Sequence, residues 1–380
     1  MPSRLPDQGR HPGDADRRGD DRALIARILL IRLREIGDVV FTTPAIRGLR
    51  TRFPRAHLAY LVEPHAAPLV ARNPLLDDVI VAPRRGLAAD LALAGRLRAR
   101  RFDLAIDFHG GPRASLLAWL SGAPARLGYQ VAGRSWMYTR RVARPRALRP
   151  RHSVENQWDL LAALGIPAPD PAECPVEMAV DAAVARDVDR RLAEAGAGPA
   201  DRLIVIHVSA GNPFRRWPIE SFAALAAALA AADPRRRVLL TSGPSDAAAA
   251  IRALDQARGQ LPEGDRERIM ACGDFSLAEL RALVDRAALF IGGDSGPLHV
   301  AATSAVPIVG LYGPTLPARS APWRAPALIS EAVEIHDLPC RPCDQRVCAP
   351  GDFRCLARVT PSQVAEAAER ALSRAGARRS

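Results

Sequence analysis

The stretch Leu289-Phe290-Ile291-Gly292-Gly293-Asp294-Ser295-Gly296-Pro297-Leu298-His299 joins a short apolar run to a glycine-rich turn and then to a helix start. A short apolar run that ends at turn residues is typical of a buried strand. Proline is tolerated in the first turn of a helix, where its missing N–H would have no partner. The stretch therefore predicts a strand, turn and helix unit of an α/β protein.

Similar patterns recur along the chain and divide it into two halves. The first half begins with Ile28-Leu29-Leu30-Ile31, and the second restarts with Leu203-Ile204-Val205-Ile206-His207. Further strands are predicted at residues 58–62, 78–81, 104–107, 238–241 and 308–311, and helices at 219–232 and 361–375. Strands that alternate with helices indicate parallel sheets. We therefore predict an α/β fold with two doubly wound, Rossmann-like domains that face a central cleft.

Length and local composition place the domain boundaries. A chain of 380 residues is longer than one hydrophobic core usually holds. Residues 1–23 are rich in Pro, Gly, Asp and Arg without apolar periodicity, which is typical of a disordered tail. A charged helical pattern near residues 181–200 separates the halves. We therefore assign the two domains to residues 24–185 and 186–360, followed by a C-terminal helix and tail at 361–380.

The charge and hydropathy of the chain limit its partners and its location. The formal net charge is +12, and because the sequence contains no lysine, all 53 cationic residues of the Lys and Arg class are arginines. Such a balance favours acidic partners, which include phosphates, nucleic acid and anionic membrane surfaces. Arg27 and Arg32 interrupt the first apolar run, and no run of about 18 apolar residues occurs. We therefore expect a cytoplasmic protein without a signal peptide or a membrane span.

An arginine-rich stretch at residues 134–151 surrounds Trp136 and Tyr138. Its arginines are Arg134, Arg140, Arg141, Arg144, Arg146, Arg149 and Arg151. The stretch is either a solvated loop or a surface for an acidic acceptor or membrane headgroups. Basic and aromatic residues interleave nowhere else, which disfavours nucleic-acid binding.

Two loops that follow predicted strands carry candidate reactive side chains. Asp38 follows the first strand, where it would act as a general base on a hydroxyl or as a helix N-cap. The same loop lacks Gly-x-Gly-x-x-Gly, which argues against a nicotinamide oxidoreductase. In His207-Val208-Ser209-Ala210-Gly211-Asn212-Pro213-Phe214-Arg215-Arg216, either arginine would clamp phosphate oxygens. The alternative for this second loop is an ordinary surface loop before a helix.

Two further loops of the second half offer anion and hydroxyl contacts. Free amides at the start of a helix attract anions, so Gly292 to His299 predicts a phosphate site with His299 as an added donor. Its alternative is a structural turn that Asp294 or Ser295 caps. Asp246, in Thr241-Ser242-Gly243-Pro244-Ser245-Asp246, would accept ribose hydroxyls or cap the next helix.

Four cysteines lie close together near the C-terminus, as Cys340-x2-Cys343-x4-Cys348-x6-Cys355. Such a cluster would hold a structural zinc ion, or it would consist of reduced thiols or disulfides. The spacing matches neither a standard zinc ribbon nor a zinc finger. We therefore assign no residue as a metal ligand, and the three alternatives stay open.

In their order and spacing these motifs resemble glycosyltransferase family 9, the bacterial ADP-heptose:lipopolysaccharide heptosyltransferases. The resemblance extends from Ile28 to about Ala371. It is carried by Gly37-Asp38-Val39 with Thr43-Pro44-Ala45, by Arg215-Arg216-Trp217-Pro218, by Gly293-Asp294-Ser295-Gly296-Pro297-Leu298-His299-Val300-Ala301-Ala302, and by Gly313-Pro314-Thr315. It implies a GT-B fold and inverting, metal-independent transfer of heptose from ADP-heptose to the lipopolysaccharide inner core, with no cofactor.

The resemblance also implies roles for individual residues. Asp38 would be the catalytic base, and Arg215, at a position where members of the family usually have lysine, would stabilise the departing diphosphate. Donor-binding roles fall to Ser209, Gly243, Asp246, Asp294, Ser295, Gly296 and His299. Acceptor-binding roles fall to Arg113 and Arg126. The domain at 24–185 would then bind the acceptor, and the domain at 186–360 would bind the nucleotide sugar.

The implied partners are a nucleotide-sugar donor and a lipopolysaccharide-core acceptor, with peripheral contact to the inner membrane surface. We expect a monomer that binds no nucleic acid. Three alternatives remain: a related glycosyltransferase with another nucleotide sugar or acceptor, a non-catalytic nucleotide-sugar-binding protein, and a nucleic-acid-binding protein.

Overall fold

The computed structural model describes residues 25–83, 86–144 and 151–378. The predicted tail at 1–23 lies outside the described residues, as does the segment 145–150 of the arginine-rich stretch. The tail prediction therefore stays a prediction.

Within its described residues the first half contains one six-stranded sheet and four α-helices. The strands are β1 (Arg27–Ile31), β2 (His57–Val62), β3 (Asp78–Val81), β4 (Leu104–Asp107), β5 (Ala125–Tyr129) and β6 (Arg140–Val142). The helices are α1 (Ile36–Arg52), α2 (Leu87–Ala99), α3 (Pro112–Leu120) and α4 (Ser153–Ala162). The strands pair in the order β3-β2-β1-β4-β5-β6, and every pairing is parallel.

The second half repeats this arrangement. The strands are β7 (Arg202–His207), β8 (Arg236–Thr241), β9 (Ile269–Met270), β10 (Leu289–Gly293), β11 (Ile308–Tyr312) and β12 (Ser330–Glu334). The helices are α5 (Ala182–Glu194), α6 (Ile219–Ala232), α7 (Ala247–Gly259), α8 (Leu277–Arg286), α9 (Gly296–Ala301), α10 (Pro317–Ser320), α11 (Arg354–Ala357) and α12 (Pro361–Gly376). The order β12-β11-β10-β7-β8-β9 is that of the first sheet, again with parallel pairs. The predicted fold class is confirmed: each half is doubly wound and Rossmann-like.

The apolar runs form strands because both faces of each sheet are buried under helices. Successive side chains of a strand point to opposite faces. In β1, Ile28 and Leu30 pack towards α1, whereas Leu29 and Ile31 pack beneath α2 and α3. A fully buried parallel strand therefore has a continuous apolar sequence instead of an alternating one.

Helix α1 has 17 residues and contains Pro44 in its interior. A proline there removes one backbone hydrogen bond, which leaves the carbonyl of Val40 without its usual donor. The Thr43 hydroxyl donates to that carbonyl at 2.7 Å and replaces the missing bond. The helix therefore continues through the proline and carries the residues after β1 on one rigid element.

The boundary predicted between residues 185 and 186 falls inside α5. Helix α5 packs against α8 of the second half, and Arg191 on α5 donates to Glu279 on α8 at 2.7 Å. The chain therefore crosses between the halves before Ala182. The predicted C-terminal helix is α12, which packs against α6 within the core of the second half.

The two halves touch along helices α1 and α4. Helix α1 packs against α9. At the start of α4, His152 Nε2 lies 2.9 Å from the Ala321 carbonyl, and Ser153 donates to the Arg319 carbonyl at 2.9 Å. These contacts bring the carboxyl ends of β1 and β10 towards each other.

Candidate functional site

The strand order of each sheet determines where a ligand would bind. In both sheets the order reverses between the first and fourth strands, β1 and β4 in one and β7 and β10 in the other. Ligands of open α/β sheets bind outside the carboxyl ends of the strands at such a point. The loops after these strands hold Asp38 in the first half and Ser209, Arg215 and Asp294 in the second.

Asp38 lies in the first turn of α1, but it is not the N-cap. Glu35 occupies that position and makes no side-chain capping bond. The Asp38 carboxylate forms an ion pair with Arg32, and its side chain is 42% exposed. Arg32 is buried, and its Nη1 also donates to the Phe108 carbonyl at 2.5 Å. Arg32 therefore holds the Asp38 carboxylate in a fixed direction at the carboxyl ends of the strands of the first sheet. The sequence analysis did not identify this role of Arg32.

The loop after β4 adds a second polar group on the same edge. Tyr138 donates to the buried Asp107 carboxylate at 2.6 Å, and the amides of His109 and Gly110 donate to it at 2.9 Å. Burial lowers the pKa of His109, and the positive charge of Arg32 lowers it further. His109 Nδ1 is buried and has no hydrogen-bond partner among the described residues. This neutral imidazole is another group that the sequence analysis did not identify.

Asp294 is the centre of a buried polar network after β10. Thr315 donates to its Oδ2, Arg215 Nη1 lies 3.3 Å from Oδ2, and His299 Nε2 lies 3.4 Å from Oδ1. The histidine contact lacks hydrogen-bond alignment, so Oδ1 has no hydrogen-bond donor among the described residues. Burial alone would raise the pKa of Asp294, but His299, Arg215 and Thr315 together hold that pKa below its usual range.

Gly296 begins a short helix, α9, and it is tightly enclosed by the other half of the chain. Helix α9 has six residues, with Ser295 at its N-cap position but without a capping bond. A Cβ atom on Gly296 would lie 2.8 Å from Ile36 Cγ2, and one on Gly37 would lie 2.5 Å from His299 Cδ2. These glycines therefore let the two halves approach each other, and the donor-binding role of Gly296 stays a prediction.

Ser209 and Gly243, both predicted to bind the nucleotide sugar, lie next to each other in the structure. The Ser209 hydroxyl accepts from the Gly243 amide at 3.0 Å and lies 3.3 Å from His207 Nε2. His207 Nδ1 lies 3.1 Å from the Thr241 hydroxyl. Burial lowers the pKa of His207 to about 4, so this histidine is neutral at pH 7. The contacts join the loops after β7 and β8 at one edge of the sheet.

Asp246 lies immediately before α7, and its side chain makes no capping bond. Its carboxylate instead lies 3.0 Å from Arg216 Nη2, and the Ser245 hydroxyl donates to it at 3.2 Å. A pocket of about 390 Å³ opens beside Asp246 and Arg216 and is also lined by Trp217. The missing capping bond argues against a helix cap, and a contact of Asp246 with ribose stays a prediction.

The structure does not bring the two predicted acceptor residues into this cluster. Arg113 donates to Asp90 at 2.6 Å, to Glu63 at 3.2 Å and to the Pro83 carbonyl at 2.9 Å, so its charge is already compensated. Arg126 lies near the start of β5 and donates to the carbonyls of Met137 and Ala123. These bonds hold Arg126 to the loops around β5, and its predicted contact with an acceptor stays a prediction.

The four clustered cysteines are free thiols and line one pocket of about 240 Å³. Burial raises the pKa of Cys355, and the neighbouring Cys340 and Cys348 raise it further. Within residues 25–83, 86–144 and 151–378, no group of three or more ligating side chains is arranged to hold a metal ion. The described part of the chain contains no helix long and apolar enough to span a membrane.

Sequence relatives of the chain are heptosyltransferases. A family model described as glycosyltransferase family 9 (heptosyltransferase) matches residues 91–351, more than half of the chain. Lipopolysaccharide heptosyltransferase 3 of Escherichia coli is 28% identical over 322 residues, covering 83% of this chain and 91% of that protein. Lipooligosaccharide heptosyltransferase 2 of Haemophilus influenzae is 25% identical, covering 89% of this chain and 97% of that protein.

Solved structures agree with this assignment at the level of the fold. A glycosyltransferase family 9 protein from Veillonella parvula superposes with a TM-score of 0.80 at 25% identity, covering 92% of this chain and 98% of that one. E. coli ADP-heptose lipopolysaccharide heptosyltransferase II gives 0.72 at 21%, with 92% and 99% coverage. E. coli heptosyltransferase WaaC with ADP-2-deoxy-2-fluoro heptose gives 0.65 at 21%, with 90% and 99% coverage. The fold is of GT-B type, and the chain belongs to glycosyltransferase family 9.

Proposed function

We propose that this protein transfers a heptose from ADP-heptose to the inner core of lipopolysaccharide, with inversion at the anomeric carbon. The observation that carries the proposal is the contact between Gly37 and His299, which puts the Asp38 turn of one half against the Asp294 loop of the other. Relatives that cover most of this chain are named as lipopolysaccharide heptosyltransferases. The WaaC structure with a fluorinated ADP-heptose supports the same class of donor.

Asp38 is the proposed general base. Inverting transfer needs a base that removes a proton from the acceptor hydroxyl as that oxygen attacks the anomeric carbon from the face opposite the leaving group. Asp38 comes from the first half, whereas the donor loops belong to the second. The ion pair with Arg32 aims its partly exposed carboxylate and prevents it from rotating freely.

Arg215 is the proposed stabiliser of the departing diphosphate. Cleavage of the anomeric C–O bond places negative charge on the diphosphate oxygens, and a preorganised cation lowers the energy of that state. Arg215 Nη1 donates to the Asp294 carbonyl at 3.0 Å, so the guanidinium is anchored at the donor loop before any ligand arrives.

The second half supplies the remaining donor contacts in this proposal. In it the backbone amides of Ser295 and Gly296, together with His299, face the phosphates, whereas the Asp294 amide already donates to the Leu311 carbonyl at 3.0 Å. Ser209 and Gly243 form the adjacent wall, and Asp246 accepts the ribose hydroxyls at the mouth of the pocket beside Trp217. No cofactor and no metal enter the proposed reaction.

In this proposal the first half binds the acceptor. The protein works as a monomer at the cytoplasmic face of the inner membrane. On this half Trp119 and Trp136 are exposed and contact each other with ring centroids 5.4 Å apart. Exposed tryptophans beside arginines suit a membrane interface. Arg113 would serve the acceptor only by leaving Asp90 and Glu63.

A donor screen tests the proposed function. Purified protein would be incubated with a heptose-deficient lipopolysaccharide core as acceptor. Parallel reactions would each contain one donor: ADP-heptose, ADP-glucose or UDP-glucose. The proposal predicts ADP release together with a gain of one heptosyl unit on the acceptor, seen by mass spectrometry. Preferential transfer from another nucleotide sugar would contradict the heptose assignment. ADP-heptose binding without transfer to any core acceptor would identify a non-catalytic binding protein.

A further inference from the structure

The segment that contains the clustered cysteines, residues 340–355, is attached to the proposed donor site. Cys343 donates its amide to the Pro314 carbonyl at 3.1 Å. Arg341 Nη2 donates to the Thr315 carbonyl at 2.8 Å, and the Thr315 hydroxyl in turn donates to Asp294. The segment is therefore part of the surroundings of the donor loop, although no role above uses it.

Gln345 is the residue of this segment that reaches Arg215. Its Oε1 atom accepts from Arg215 Nε at 2.7 Å and from Asn212 Nδ2 at 2.9 Å. An amide oxygen offers two lone pairs, so these two donors saturate it. The Arg215 guanidinium therefore donates two hydrogen bonds, from Nε to Gln345 and from Nη1 to the Asp294 carbonyl.

These two hydrogen bonds fix the plane of the Arg215 guanidinium as well as its position. A guanidinium is a flat fork, and its hydrogen bonds to a phosphate depend on how that plane is turned. With Nε and Nη1 engaged, Arg215 Nη2 donates to no residue of the described ranges. Nη2 is left as the N–H edge available to a diphosphate.

The backbone of Gln345 is itself in an uncommon conformation. Its φ angle is 59°, in the left-handed region that residues other than glycine rarely adopt. Its amide donates to Cys343 Sγ at 3.3 Å, within the same segment. A non-glycine residue in this region is held there by its surroundings, and such residues concentrate at functional sites.

We propose that Gln345 is a positioning residue for Arg215, and that residues 340–355 serve the reaction by presenting its side-chain oxygen to Arg215 Nε. Gln345 does not touch the substrate. The proposal rests on the proposed function, in which Arg215 stabilises the departing diphosphate. It assigns a task to the cysteine segment that does not depend on a metal.

The first test compares Gln345→Met with Arg346→Met. The first substitution keeps the length of the side chain but removes the acceptor, and the second changes an exposed neighbour on the same segment. Loss of one charge-assisted hydrogen bond predicts a fall of about tenfold in kcat for Gln345→Met. KM for the acceptor and the thermal midpoint are expected to stay at their original values, and Arg346→Met is expected to match the unsubstituted protein.

A double-mutant cycle with Arg215→Lys separates positioning from structure. Lysine is a compact point charge without a planar fork, so Gln345 has no guanidinium plane to orient in that background. In the Arg215→Lys background, Gln345→Met should therefore cause no further fall in kcat. An equal fall in both backgrounds, or a Gln345→Met enzyme within twofold of the original, overturns the proposal. If Arg215→Met leaves kcat unchanged, the leaving-group role of Arg215 fails, and the positioning role fails with it.

Discussion

At the scale of single residues, Arg32 shows how a buried cation can fix a reactive carboxylate. It pairs with Asp38 on one side and donates to the Phe108 carbonyl on the other, so it connects the loops after β1 and β4. Nothing in the sequence distinguished Arg32 from the other arginines, because the chain contains 53 arginines and no lysine. The Asp38 position was predictable from the strand and turn pattern, whereas its partner required the fold.

Two histidines are buried in their neutral form, and they make the stability of the protein depend on pH. Burial lowers the pKa of His207 to about 4, and it also lowers that of His152 to about 4. The ordinary histidine pKa is about 6.5. The unfolded chain therefore binds more protons than the folded one between these values. Stability is full above about pH 6.5 and is lost as the pH falls towards 4.

We predict that the free energy of unfolding falls by about 2 to 3 kcal/mol for each of these histidines between pH 7 and pH 4.5. Urea denaturation across this range measures the slope. His207→Gln should make the slope shallower, whereas His336→Gln, at a side chain that is 78% exposed, should leave it unchanged. An identical slope in the His207→Gln protein would show that His207 is not held neutral by burial.

At the scale of elements, helices α1 and α9 form the contact that aligns the two halves. Ile36 on α1 lies where a side chain on Gly296 of α9 would have to be. The interface tolerates only a hydrogen at that position, because well-packed surfaces accommodate added atoms poorly. The same contact positions Asp38 and His299 on opposite sides of the cleft.

Gly296→Ala should therefore destabilise the protein by about 1 to 3 kcal/mol and slow transfer. Gly95→Ala is the matched control, since Gly95 lies inside α2 with no atom within 4 Å of an added Cβ. That substitution should stabilise the protein by about 0.5 to 1 kcal/mol through helix propensity. Urea denaturation compares the two. Equal stabilisation by both alanines would show that α1 and α9 do not pack as described.

The sequence predicted the strands whose burial made them apolar, together with the edge strand β3, and missed other strands at or near the edge of a sheet. Strands such as β1 and β7 were visible as continuous apolar runs because helices cover both faces. The edge strands β6, Arg-Arg-Val, and β12, Ser-Glu-Ala-Val-Glu, carry polar residues and have no such signature. The order of strands within each sheet required the fold itself.

At the scale of the whole molecule, two copies of one topology face each other and divide the proposed labour. Asp38 and its partner Arg32 follow β1, and Arg32 reaches the Phe108 carbonyl after β4, whereas the proposed donor loops follow β7 and β10. The candidate loops were predictable because they follow recognisable strands. Thr315 and Gln345 were not predictable, since they reach Asp294 and Arg215 from 21 and 130 positions away along the chain.

The most direct test of the central claim is the single-turnover rate of heptosyl transfer by the Asp38→Asn protein with saturating ADP-heptose and core acceptor. Loss of a general base predicts a rate lower by about 10² to 10⁴-fold, with donor affinity by calorimetry unchanged. Glu35→Gln, at the exposed N-cap of the same helix, should transfer at the original rate. An Asp38→Asn protein that transfers heptose at a near-original rate would contradict the claim that Asp38 acts across the cleft on a donor held by the second half.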